Sequence, residues 1–209
     1  MAGPGAPPQS RRIGGRGQRL SEIPLFPLGT VLFPGGRLAL RVFEQRYLEM
    51  AKACLRHGTP FGVCLIREGA EVGPPATPEP VGCTARIAQW DMQQLGVLQI
   101  VAQGEQRFRI LERRVQDDGL SRAQIELLAP EADAAVPERL AACRGVLERI
   151  VAEHGERLFA APYRFESCAW VGARLAEVLP LPGTLKQQLL EMDGLPRLEA
   201  LHRLIAKQG

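Results

Sequence analysis

Apolar and polar positions along this chain change their period once. From Ile23 to Leu128 the apolar residues fall in short runs punctuated by Pro and Gly; after Pro130 they recur every three or four positions. In the first region, Ile23–Leu28 is a short apolar segment whose two prolines confine it to an edge or an irregular strand. Arg37–Phe43 carries Leu38, Leu40 and Val42 on one face, as a half-buried strand does. Gln45–Arg56 reads as a helix, with Tyr47, Met50 or Ala51, and Cys54 with Leu55 at helical spacing and Gly58 as its stop. Phe61–Ile66 is a continuous apolar run of strand length.

Residues 67–82, with Pro74, Pro75, Pro78 and Pro80, predict an exposed loop. Strands are then expected at Cys83–Trp90, Gly96–Ala102, Arg107–Arg113 and Leu120–Leu128. The first two would pair as a hairpin across Asp91–Leu95, Gly104 with Glu105 marks the next turn, and Asp117-Asp118-Gly119 marks another. Many short strands and one helix suggest a closed or nearly closed sheet. Beyond Pro130, residues 138–154 place Leu140, Cys143, Leu147 and Ile150 with Val151 on one helical face. Residues 165–179 place Phe165, Cys168, Gly172, Leu175 and Leu179 similarly. Two shorter helices, Thr184–Met192 and Leu195–Lys207, follow, with Thr184 as N-cap and Gly194 as the break between them. The expected organisation is α+β: a β lobe over residues 22–130 and an all-helical lobe over 131–209. Ahead of them, residues 1–21 are rich in Gly, Pro and Arg, have little to bury and are expected to be disordered.

Charge placement narrows the function. The net charge is +3 over 209 residues, but Arg11, Arg12, Arg16 and Arg19 put +4 into the first 21 residues and leave −1 on the rest. A body without positive excess argues against a broad nucleic-acid face, which leaves RNA contact by the Arg-rich tail as the alternative reading. No apolar run reaches the length of a membrane span, and the N-terminus lacks the apolar core of a signal peptide, so a cytoplasmic protein is expected. Five cysteines with no C-x-x-C pair read as reduced, buried thiols.

Catalytic constellations are missing from the pattern. Ser10, Ser21, Ser121 and Ser167 lie in no G-x-S-x-G elbow. Ser167 with Lys186 matches a dyad in residue types alone; a helix-terminal serine and a solvated lysine is the simpler reading. His57, His154 and His202 share no H-x-x-H or H-E-x-x-H spacing, so no metal site and no cofactor are expected.

The order of elements carries a resemblance. Pro24-Leu25-Phe26-Pro27-Leu28, Phe33-Pro34-Gly35, Val81-Gly82-Cys83-Thr84-Ala85 and Gly104–Ile110 resemble the Lon N-terminal, or substrate-binding, domain. Leu179-Pro180-Leu181 and Lys186–Glu191 with Asp193 are similar to that family's helical part, so the likeness runs over about residues 22–207. It implies a PUA-like β pseudo-barrel followed by a helical lobe. It further implies a non-enzymatic module that binds unfolded or extended polypeptide, in a bacterial, ATP-independent, stand-alone form that delivers clients to a separate ATP-dependent protease or chaperone. No G-x-x-x-x-G-K-[ST] phosphate loop occurs in the chain, so nucleotide binding is not expected.

Aromatic residues are scarce, at 5%, so those placed off a core face are the candidate contacts. Trp170 falls opposite its helix's apolar stripe, among Glu166, Arg174 and Glu177. It either wedges the two lobes together or offers an aromatic anchor to a partner. Trp90 ends a strand beside Asp91, at a core rim or a barrel mouth. Phe33 lies in a Gly-flanked turn, tucked under the sheet or offered outward. Phe33, Trp90 and Trp170 form the expected peptide-holding patch.

Overall fold

The computed structural model describes residues 19–206, so the basic leader expected over 1–21 lies outside it save for its last three residues. Seven strands come first: β1 (Arg19–Leu28), β2 (Arg37–Val42), β3 (Phe61–Glu68), β4 (Thr77–Pro78), β5 (Val81–Gln94), β6 (Val97–Val115) and β7 (Ser121–Leu127). One helix, α1 (Gln45–His57), lies between β2 and β3. Four more follow the sheet: α2 (Ala141–His154), α3 (Cys168–Val178), α4 (Gly183–Glu191) and α5 (Gly194–Ala206). None of the described helices is long and apolar enough to cross a membrane.

The pairings run β1-β7-β6-β5-β3, and β3 returns to pair in parallel with β1, so five strands close a ring. β1 manages this with two prolines because its neighbours are staggered. Arg19–Pro24 lie along β7 and Leu25–Leu28 along β3. Each proline therefore has a ladder on one side only, which leaves its missing N–H uncontested. Alternate side chains of β1 enter different cores: Phe26 and Leu28 pack with α1, where Phe26 stacks on Tyr47 at 4.2 Å, and Ile23 and Leu25 pack with Phe108 and Ile125.

Gly104 and Glu105 form no turn. β6 runs unbroken for 19 residues, its first half between β2 and β5 and its second between β5 and β7. The glycine serves a close approach instead. Its carbonyl accepts from the Gly35 N–H at 2.8 Å and its N–H donates to the Gly36 carbonyl at 2.9 Å, and a Cβ at Gly104 would sit 2.3 Å from the Phe33 oxygen. The Phe33–Gly36 turn is thereby fastened to the middle of the sheet.

Gly194 likewise does not break the last two helices. It is the first residue of α5, buried against Ala169 of α3, where a Cβ would lie 2.6 Å from backbone. The break falls at Met192, whose backbone is extended. Thr184 lies inside α4 rather than capping it, since Pro182 holds the N-cap position. The helix expected over 165–179 begins only at Cys168, because Ser167 accepts the Trp170 N–H at 3.0 Å and caps it. The proline-rich loop of 67–82 holds the short strand β4, paired with β3.

Candidate functional site

The helical lobe meets the sheet along a seam built from both. Its core, around Leu147, Phe159, Leu175, Leu189 and Leu198, takes in Val31, Phe33, Leu65 and Val81 from the β region. Charged groups close the rest of the seam. Arg174 of α3, 2% exposed, donates to the Pro34 carbonyl at 2.9 Å and to Glu177 at 2.8 Å. Arg197 of α5, fully buried, grips the Glu131 carboxylate in two bonds of 2.9 and 2.7 Å and also donates to the Leu189 and Met192 carbonyls. Arg107 of β6 reaches the carbonyls of Leu190 and Met192 and the Asp193 carboxylate. Buried arginine is tolerated there because each guanidinium is met by carboxylates or carbonyls.

Beside these clamps the seam opens into a cleft of about 500 Å³. One wall is Pro34 and Gly35 with Glu105–Arg107 of β6, the floor is the linker at Ala129–Glu131 and Asp133, and the other wall is the start of α3 with Trp170. Trp170 is half-buried. Its indole meets Phe165 edge-on at 5.3 Å and lies 6.1 and 6.3 Å from Tyr163 and Phe159. Aromatic pairs at these spacings hold the ring in place beyond what burial alone gives. The cleft's charges are largely matched, Arg164 with Asp133, Arg107 with Glu131 and Glu105 with Arg86. It offers a ligand apolar surface and hydrogen-bonding edges rather than a net field.

The three expected contact residues do not converge. Phe33 is fully buried, with the Arg197 guanidinium 5.4 Å above its ring, and has no surface left for a partner. The turn that carries it is tied down at Gly104, which draws the ring inward. Trp90 is 60% exposed and lines a separate cavity with Ala39–Arg41 and Gln99–Val101, on the hairpin that also exposes Met92 and Leu95. Of the three, Trp170 is the one that lines the seam cleft. The face of α3 opposite its apolar stripe docks on the Phe33–Gly36 turn, which is why Arg174 and Glu177 are sheltered.

Ser167 and Lys186 are not a dyad. Ser167 Oγ donates to Asp133 at 2.7 Å, whereas Lys186 Nζ donates to the Glu177 carbonyl and lines a different cavity. His202 Nδ1 lies 3.8 Å from Cys143 Sγ, and among the described residues no group of three His, Cys, Asp or Glu is placed to hold a metal ion. The groups that sequence reasoning missed are Arg107, Glu131, Asp133 and Arg164. Arg107 and Arg164 lie far from Glu131 and Asp133 in the chain, and solvated charge is the ordinary reading of each.

The structure is a closed sheet joined through buried arginines to a helical lobe, with a partly apolar cleft at the joint. The family model described as the ATP-dependent protease La (LON) substrate-binding domain matches residues 22–207, and the chain belongs to that family. The Lon N-terminal domain protein from Xanthomonas campestris is 37% identical, with a TM-score of 0.73 over 88% of this chain and 98% of that one. The Lon protease of Anaeromyxobacter dehalogenans is 31% identical over 177 residues, 81% of this chain and 21% of that protein. Protein cereblon of Xenopus tropicalis is 28% identical over 126 residues, 58% of this chain and 25% of that protein. The chain thus spans a quarter or less of these two curated relatives.

Proposed function

We propose that the protein is a non-enzymatic module that binds extended or unfolded polypeptide in the seam cleft, with Trp170 as its anchor. The observation that carries this reading is a ring fixed by three aromatic neighbours at the wall of an open cleft of about 500 Å³. An anchor already held in place loses little freedom on binding, and exposed apolar side chains of an unfolded client are what it would cover. Trp90, with Met92 and Leu95, gives a second apolar surface on the β5–β6 hairpin. The closed sheet is read as a PUA-like pseudo-barrel, which serves as the rigid wall of the cleft. Clients held there would pass to a separate ATP-dependent protease or chaperone in the cytoplasm.

The test is capture of a fluorescent, permanently unfolded polypeptide by the wild type and by Trp170→Ala. Truncating an anchor costs about 2 kcal/mol or more, roughly 30-fold in affinity. The expected result is such a loss with a modest fall in melting temperature. A large fall in melting temperature with capture unchanged would remove the reading.

A further inference from the structure

A second cavity, of about 180 Å³, is lined by the chain on both sides of the Phe33–Gly36 turn, by Leu158 and Phe159, and by α3 and α4. Val31, Leu38 and Phe159 are among the apolar part of its lining. Two cations enter it from opposite lobes, Arg37 at the start of β2 and Lys186 of α4. Among the described residues neither is ion-paired with a carboxylate. The Arg37 Nε is buried without a hydrogen-bond partner, and Lys186 Nζ places one bond, at 2.8 Å, on the Glu177 carbonyl. The one acid lining the cavity, Glu177, is already bound to Arg174 at 2.8 Å and accepts the Phe33 N–H. Buried donors without acceptors are costly, and an ammonium with one bond made has two protons left to give.

Such a pocket asks for an anion with a short apolar body. Its volume is below the roughly 300–1,000 Å³ of sites for drug-sized ligands, so it takes a group about the size of one residue. An arginine that lines a cavity can offer its guanidinium to the oxygens of a carboxylate. We propose that this cavity binds the terminal carboxylate of a polypeptide whose last side chain is aliphatic, Arg37 and Lys186 gripping the carboxylate and Val31, Leu38 and Phe159 covering the side chain. The inference rests on the polypeptide-binding reading and adds to it a preference for chain ends.

The probe is a fluorescent, otherwise featureless peptide ending in leucine, compared with the same peptide amidated at its C-terminus. Binding is followed by anisotropy with wild type, Arg37→Gln and Lys186→Gln. The free acid is expected to bind at least about tenfold more tightly than the amide, and each substitution to erase most of that ratio. Two variants on different elements keep the test independent of either one's folding, which thermal unfolding monitors. Equal affinity for acid and amide would overturn the proposal. N-acetyl-leucine, which carries the same carboxylate and side chain, is expected to compete, and its amide is not. The broader reading fails separately: Trp170→Ala would then leave binding of the amidated, longer unfolded chain unchanged.

Discussion

Arg107 and Arg197 share two partners across the seam. Both donate to the Met192 carbonyl, at 2.9 and 2.7 Å, and both pair with the Glu131 carboxylate, at 3.5 and 2.7 Å. One guanidinium comes from the sheet and the other from the last helix, so a single linker carboxylate neutralises charge from both lobes.

Glu131→Gln should therefore be among the more damaging single substitutions on a polar residue. It leaves the buried Arg197 guanidinium without its carboxylate, while Arg107 keeps Asp193, and breaking a buried pair from one side costs about 3–5 kcal/mol. Equilibrium unfolding in urea measures it. A loss below about 1 kcal/mol would mean that the carbonyls suffice.

Gly104→Ala should loosen the same seam from the other side. The new methyl would meet the Phe33 oxygen at 2.3 Å, which cannot move without releasing the turn from β6. A loss of about 1–3 kcal/mol is expected from overpacking, with accelerated amide exchange at Gly35 and Gly104.

Glu177 predicts a pH dependence. Burial lifts its carboxyl from 4.5 to about 7, against the pull of Arg174 and Lys186. The folded protein then keeps a proton that the unfolded chain releases above pH 4.5. This group's contribution is most favourable below that pH, weakens as pH rises to about 7, and is constant above. Relative to Glu177→Gln, the wild type should lose up to about 3 kcal/mol of unfolding free energy between pH 4.5 and 8. A difference that does not vary with pH would contradict the assignment.

Glu22 predicts the opposite sign. Hydrogen bonds from Arg114, then from Arg122, draw its carboxyl down to about 2. Those two arginines face each other directly across β6 and β7, so Glu22 relieves a like-charge pair. Its stabilisation is present above about pH 4.5 and is lost as pH falls toward 2. Glu22→Gln should lower the melting temperature at pH 7 and low salt while leaving it nearly unchanged at pH 2.

How far periodicity led is visible in particular residues. The strand from Phe61, the helix from Gln45 and the Asp117–Gly119 turn follow from local chemistry, and the structure has all three. Gly104 and Gly194 were misread because a glycine that permits a contact looks, in sequence, like one that permits a turn. Trp170 was legible as an unusual position on α3. Its surroundings were not, since Arg174 and Glu177 become seam residues only through the Phe33–Gly36 turn some 140 positions earlier. The Arg107–Glu131–Arg197 cluster left no periodic trace at all.

The parallel pairing of β1 with β3, beside its antiparallel pairing with β7, has a consequence for synthesis. β1 needs β7 as its partner, about a hundred residues later. Until then half of its backbone has no ladder, and Ile23 and Leu25 lack the Ala123 and Ile125 side chains that complete their core. A nascent chain of this kind keeps that apolar face open while the intervening hundred residues are made, which favours transient association over early folding.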